Sequence, residues 1–151
     1  MEPIRFYKVN DEFGEFSNFS PFPIELKGKI WPTSEHYFQA MKFEGTPYEE
    51  AVRALKSPME AARMGRSPTL SIRLDWEQAK DSSMMEAVLA KFSQHLSLRE
   101  LLLETGDQLI VEHTQGDRYW GDGGDGSGEN KLGIILMEVR EILRIKSKST
   151  S

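Results

Sequence analysis

Three times in the middle of the chain a hydroxyl stands three residues ahead of a glutamate: Thr46-Pro-Tyr-Glu49, Ser57-Pro-Met-Glu60 and Ser97-Leu-Arg-Glu100. At that spacing the hydroxyl accepts from one free amide of a helix start while the carboxylate reaches back to another, and proline at the first helical position, present twice, presets the backbone. The spacing predicts short helices over 47–56, 58–64 and 98–105, the second closed by Gly65 and the third by Gly106. The middle of the chain is therefore helical, in short pieces.

Around these pieces, Ile4 to Val9 reads as a short strand and Pro23 to Trp31 as a second with a turn at Gly28. Between them Phe13, Phe16, Phe19 and Phe22 recur every third residue, but Gly14, Pro21 and the intervening Ser and Asn oppose a helix. These aromatics read either as loop residues plugging a core or as a wall on which a flat base stacks. A longer helix should start after Asp75 and run to about His95, with Asp81-Ser-Ser83 as a candidate break. Gln108 to Thr114 reads as a buried strand, and a last helix from about Asn130 to Ile145 puts Leu132, Ile135, Leu136, Val139, Ile142 and Leu143 on one side. Few strands among many helices, without regular alternation, point to an α+β fold: a single compact, mostly helical domain over residues 1–145, followed by a polar tail over 146–151.

Composition narrows the function. The 151 residues carry 19 Lys and Arg against 24 Asp and Glu, a net charge of −5, so no stable nucleic-acid partner with broad phosphate contacts is expected, although a nucleotide-sized ligand needs only a local site. There is no cysteine, which excludes disulfides, cysteine-ligated zinc and a thiol nucleophile. The first residues carry no basic start followed by an apolar stretch, and no apolar run is long enough to cross a bilayer. The expectation is a cytoplasmic protein without a membrane partner, its oligomeric state open.

Four constellations bear on chemistry. In Pro32-Thr-Ser-Glu-His-Tyr-Phe-Gln-Ala-Met-Lys-Phe, Thr33 or Ser34 caps a helix, and Glu35, Gln39 and Lys42 fall on one face at i, i+4 and i+7. Tyr37, Phe38, Ala40, Met41 and Phe43 occupy the other faces, so the stripe reads either as a solvated surface with a Glu favoured by the helix dipole or as a carboxylate, an amide and an amine lining a cleft. Leu74-Asp-Trp-Glu places Trp76 in the first turn after a capping Asp75, a position that more often serves packing than an indole wall for a flat base. The stretch from Leu109 to Gly133 holds seven of the twelve glycines around Trp120 and ends in the last helix. Its G-x-G-x-x-G at Gly121, Gly123 and Gly126 is no dinucleotide fingerprint, because Asp122 and Asp125 would repel a pyrophosphate, and no calcium-loop spacing is present. It reads as a shaped binding loop, with Asn130 either capping the helix or touching ligand. His36, His95 and His113 are scattered without ligand spacing, so no metal and no cofactor are expected.

Taken together, Trp31 to Phe43, Ser57-Pro-Met-Glu-Ala-Ala-Arg-Met-Gly-Arg, Asp75-Trp76, Lys91-Phe92, Leu101-Leu-Leu-Glu-Thr-Gly and the run from Glu112-His-Thr through Asp117-Arg-Tyr-Trp-Gly-Asp-Gly to Asn130-Lys-Leu-Gly closely resemble the NADAR domain family, and within it the YbiA-like N-glycosidases. The likeness spans residues 4 to 145. It implies hydrolysis of an N-glycosidic bond between ribose 5-phosphate and an amino-pyrimidine, with two early riboflavin intermediates as substrates: 2,5-diamino-6-ribosylamino-4(3H)-pyrimidinone 5′-phosphate and 5-amino-6-ribosylamino-2,4(1H,3H)-pyrimidinedione 5′-phosphate. The implied role is disposal of damaged or toxic metabolites. Other branches remove ADP-ribose from guanine.

Breaking C1′–N builds oxocarbenium character on the sugar while the leaving amine needs a proton. Glu35 is the candidate carboxylate or base, and Lys42, two turns on, is placed to capture the opened sugar as a Schiff base. The resemblance further implies that Asp117 holds ribose hydroxyls or acts as second acid–base group, that Phe19, Trp76 and Trp120 wall the base, and that Gly121 and Asn130 line the site; Arg63 or Arg66 is the candidate for the 5′-phosphate, because an Arg pair binds phosphate oxygens bidentately. Two other readings compete: a non-catalytic nucleotide or ADP-ribose binding module, which would not need the Glu35 to Lys42 stripe, and an ADP-ribosyl-guanine hydrolase.

Overall fold

The computed structural model describes residues 1–149. In chain order its elements are β1 (Ile4–Phe6), β2 (Ile24–Leu26), β3 (Lys29–Trp31), α1 (Ser34–Met41), α2 (Pro47–Arg53), α3 (Pro58–Gly65), α4 (Trp76–Gln94), α5 (Leu96–Glu104), β4 (Ile110–Glu112) and α6 (Lys131–Ser149). The α+β class holds. The chain forms two compact units, one of Pro21–Lys91 and one of Met1–Ser20 with the chain from Phe92 onward.

In the Pro21–Lys91 unit, β2 and β3 form an antiparallel hairpin with Glu25 opposite Ile30. Lys27 and Gly28 both take positive φ, 56° and 74°, the two-residue turn whose twist matches the strands. Ile24 and Trp31 point into the core, and the Trp31 indole N–H donates to the Leu26 carbonyl at 3.0 Å. Next, α1 packs chiefly on α3 and α2. Ser57 forms the full reciprocal cap of α3, its Oγ accepting from Glu60 N at 3.1 Å while the Glu60 carboxylate accepts from Ser57 N at 3.0 Å. At α2, Thr46 accepts from Tyr48 N, and Glu49 reaches the Gly45 amide instead of the cap.

In the other unit, β1 and β4 pair in parallel with Ile4 opposite Ile110, and α6 lies on β4 and α5. Phe16 sits in a single 3-10 turn, Gly14–Phe16, buried against Phe6 and Phe92. For Phe16 the core reading of the phenylalanine series therefore wins. Arg140, buried on α6, donates to Thr105 Oγ1 and Gln108 O at 3.0 and 2.8 Å, satisfying carbonyl and hydroxyl groups beyond the end of α5.

Several boundaries move. Helix α5 begins at Leu96 with His95, not Ser97, before it, because the His95 carbonyl accepts from both Leu98 and Arg99; burial of Leu98 and Leu102 sets the register. Helix α4 runs through Asp81-Ser-Ser83 without a break, with Ser83 and Met84 buried. The three runs read as strands hold four strands of three residues, at 4–6, at 24–26 and 29–31 on either side of the turn, and at 110–112, and α2 stops at Arg53. The last helix continues to Ser149, so most of the stretch expected as a polar tail is helical; residues 150–151 lie outside the described residues. Among the described residues no helix is long and apolar enough to cross a membrane.

The start of α1 hangs on one histidine. Thr33 Oγ1 accepts from His36 N at 3.1 Å and meets His36 Nδ1 at 2.8 Å, while Nε2 donates to the Leu55 carbonyl at 2.9 Å. A nitrogen on a carbonyl must carry the proton, so Nδ1 accepts the Thr33 hydroxyl and the imidazole is neutral. Burial holds its pKa below the ordinary 6.5, against the Leu55 carbonyl and Glu60, which favour the charged ring. The unfolded state then binds the proton first. This histidine's stability contribution is full above about pH 6.5 and is lost as pH falls through the lower folded value. Denaturant midpoints of the parent should fall between pH 7 and 5 by more than those of His36→Gln; parallel curves would remove this role.

Candidate active site

All eight residues of α1 are buried, including the polar stripe. Glu35 and Gln39 are 8% and 6% exposed, and Gln39 Nε2 donates to Glu35 Oε2 at 2.9 Å. The solvated-surface reading of the stripe is overturned: on this helix no face is left to water. Lys42 follows the last turn, and its Nζ donates to the Gly65 carbonyl at 3.1 Å. That carbonyl is one of the last of α3, where helix geometry leaves acceptors open and the dipole favours a cation. Phe38 and Trp76 pack at 5.2 Å, and the Lys42 ammonium lies 6.0 and 5.9 Å from their ring centroids. The Lys42 carbonyl in turn accepts from Arg73 N at 2.8 Å, which anchors the segment leading into Trp76.

The electrostatics of Lys42 oppose one another. Burial lowers its pKa from 10.5, Glu35 raises it and Arg66 lowers it, with a net fall. An amine that sheds its proton more readily than a free lysine is the prerequisite for attack on a carbonyl or iminium carbon.

Gly65 is what permits the arrangement. A Cβ there would overlap Gln39 Oε1 and crowd Gln39 Cδ, so the close approach of α3 to α1 requires glycine. Read from sequence only as a helix stop, Gly65 instead shapes the site. Gln39 Oε1 is buried and has no hydrogen-bond partner.

The expected site residues fall into two groups. Glu35, Lys42, Trp76 and Arg66 come together in the Pro21–Lys91 unit, with Trp76 buried on Phe38 as a wall beneath the ammonium. Arg63 and Arg66 are both exposed on or just after the last turn of α3, and Arg66 is the one whose charge bears on Lys42. Phe19, Asp117, Trp120, Gly121 and Asn130 belong to the other unit. Phe19 is half-buried there, its N–H donating to Ser17 Oγ at 3.1 Å. Asp117 Oδ1 accepts from Tyr119 N and Trp120 N at 2.9 and 2.8 Å, an Asx turn that presents a half-buried Trp120. Gly121 is a second close approach, where a Cβ would meet Thr114 Cγ2 and Glu112 O at 2.8 and 2.9 Å. Asn130, at φ 52°, spends its side-chain amide on β4, accepting from Glu112 N at 3.0 Å and donating to Ile110 O at 2.9 Å. Its geometry is that of a strand-to-helix brace.

One pair in this loop escaped the reading of scattered histidines. His113 Nδ1 meets Asp122 Oδ2 at 2.8 Å, and Asp122 Oδ1 accepts from Gly124 N and Thr114 N at 2.9 and 3.2 Å. Burial pushes the Asp122 carboxyl up, but these hydrogen bonds outweigh it and hold it below its ordinary value. Among the described residues no group of three or more potential ligands gathers in a way that would hold a metal ion.

Against this geometry, comparison with known proteins is specific. N-glycosidase YbiA of Escherichia coli is 54% identical over 143 residues, covering 95% of this chain and 89% of that protein. An N-glycosidase of Nostoc punctiforme is 46% identical over 144 residues, covering 93% and 92%. A riboflavin biosynthesis protein of Vibrio vulnificus is 42% identical over 143 residues, covering 95% of this chain but 39% of its own length. The NMR structure of Escherichia coli YbiA superposes with a TM-score of 0.88 at 53% identity, covering 95% of this chain and 86% of that one. Residues 5–144 match the NADAR domain, and the chain belongs to that family.

Proposed function

We propose that this chain is an N-glycosidase that hydrolyses the C1′–N bond of phosphoribosylamino-pyrimidines in the cytosol and releases ribose 5-phosphate and the amino-pyrimidine. The observation that carries the chemistry is the buried Glu35–Gln39 pair with the Lys42 amine on the same helix face. A carboxylate, an amide and an amine are costly to bury without a use. N-glycosidase activity is supported by the names of the similar Escherichia coli and Nostoc proteins. The choice of riboflavin intermediates, namely 2,5-diamino-6-ribosylamino-4(3H)-pyrimidinone 5′-phosphate and 5-amino-6-ribosylamino-2,4(1H,3H)-pyrimidinedione 5′-phosphate, rests on the family resemblance and on the Vibrio protein's name.

In this mechanism the exocyclic nitrogen lone pair opens the ribose ring as its oxygen takes a proton, leaving an iminium at C1′. Glu35 stabilises that positive charge. The neutral Lys42 amine adds to C1′, the amino-pyrimidine departs with a proton, and water hydrolyses the lysine Schiff base to ribose 5-phosphate and free amine. Arg66 is the first choice for the 5′-phosphate and Arg63 the second. Asp117 keeps the role of second acid–base group that the family resemblance implies.

Purified protein incubated with either intermediate should release ribose 5-phosphate without added metal and at a rate unchanged by chelator; chelator-sensitive turnover, or none on either compound, sinks the proposal. Glu35→Gln preserves volume and should slow turnover on the order of 100-fold or more with the melting temperature nearly unchanged. Borohydride added during turnover should leave a reduced sugar on the peptide containing Lys42, and Lys42→Arg should abolish it because guanidinium stays protonated. Because the neutral amine attacks, the rate should climb with pH below the lowered Lys42 value. A variant Lys42→Arg with most of its activity and no trappable adduct in the parent would reduce the amine to an electrostatic role.

A further inference from the structure

The Gln39 amide is oriented at a cost. Its Nε2 donates to Glu35 Oε2 at 2.9 Å, while Oε1 is turned towards Gly65 and has no partner although it is fully buried. The opposite orientation would face a carbonyl oxygen with the carboxylate. An orphaned buried acceptor is unfavourable, and a methionine of similar length at this position would remove it. Against that cost stands one interaction methionine could not make, the hydrogen bond that Nε2 gives the buried Glu35 carboxylate. Glycine at 65 adds to this: it leaves the space that Oε1 occupies, where any side chain would displace the amide.

From this geometry we infer that Gln39 is a positioning residue for Glu35: its N–H fixes the rotamer of the carboxylate and aims it at the reacting carbon, with the space left by Gly65 allowing the orientation. Lys42, directly after α1, is the charged group whose field and that of Glu35 act on each other. Gln39 does not need to touch substrate. The inference rests on the proposed role of Glu35 and deepens it.

The test compares Gln39→Met, Glu35→Gln and the double variant in the full chain, by steady-state kinetics on the diaminopyrimidinone riboside and by thermal melting. Losing one hydrogen bond to a charged group should lower kcat about tenfold or more while KM changes by less than about threefold. The melting temperature should change little, because removing an unpaired buried oxygen offsets the lost hydrogen bond to Glu35. In the Glu35→Gln background the same change should cost little more, as expected when one residue acts through the other. If Glu35→Gln is impaired but Gln39→Met keeps the parental kcat, the positioning role is overturned and the role of Glu35 survives. Losses that add in the double variant, or a Gln39→Met protein that melts markedly lower, make Gln39 an independent or structural group and equally overturn it. A Glu35→Gln protein as active as the parent overturns the reading of Glu35 itself.

Discussion

The contact at Gly65, where the end of α3 meets α1, is the constraint on which the Pro21–Lys91 unit turns. Its carbonyl takes the Lys42 ammonium and its missing Cβ admits the Gln39 carboxamide. Three groups of one stripe are thereby fixed: Lys42 directly, Gln39 by space, and Glu35 through Gln39. The capping of α3 by Ser57 and Glu60 matters for the same reason. A helix that starts firmly at Pro58 delivers its last turn to α1 at a defined height.

A helix buried on every side cannot be explained by an amphipathic pattern, in which polar residues go to water. Here Tyr37, Phe38 and Met41 serve packing, while Glu35 and Gln39 satisfy part of each other's hydrogen bonding. The burial that makes the stripe expensive also lowers the Lys42 pKa and strengthens the field a carboxylate exerts on a developing cation. In the role proposed for Gln39, the orphaned Oε1 costs stability so that Nε2 can hold the carboxylate. That conflict is a common mark of a catalytic site.

Much of this was legible from residues alone, for reasons that are local. Thr33, Ser57 and the Pro at positions 47 and 58 act within one turn of backbone, and the structure uses each as its chemistry requires. The i, i+4, i+7 spacing put Glu35, Gln39 and Lys42 on one face before any fold was considered. What misled was also local information, where distant packing decides: Ser97 has the right spacing to a glutamate, but the buried leucines of α5 start the helix at Leu96. The three-residue strands could not be bounded, because their pairing depends on partners far along the chain, as with Ile4 and Ile110. Gly65 reads as a helix terminator in any sequence. Only the neighbouring helix shows that its lost side chain is what matters. The same holds for His113 and Asp122, nine residues apart on a glycine-rich loop, where no periodicity signals a pair.

The central claim is that the reacting centre lies on the α1 face held by Gly65 and walled by Trp76. A titration of the isotopically labelled protein with ribose 5-phosphate, followed by amide and indole NMR, tests it most directly. The account expects the largest shifts at the amides of Glu35, Gln39, Lys42, Gly65 and Arg66 and at the Trp76 indole, saturating together. Saturable shifts confined to other residues, with these signals unmoved, would contradict it.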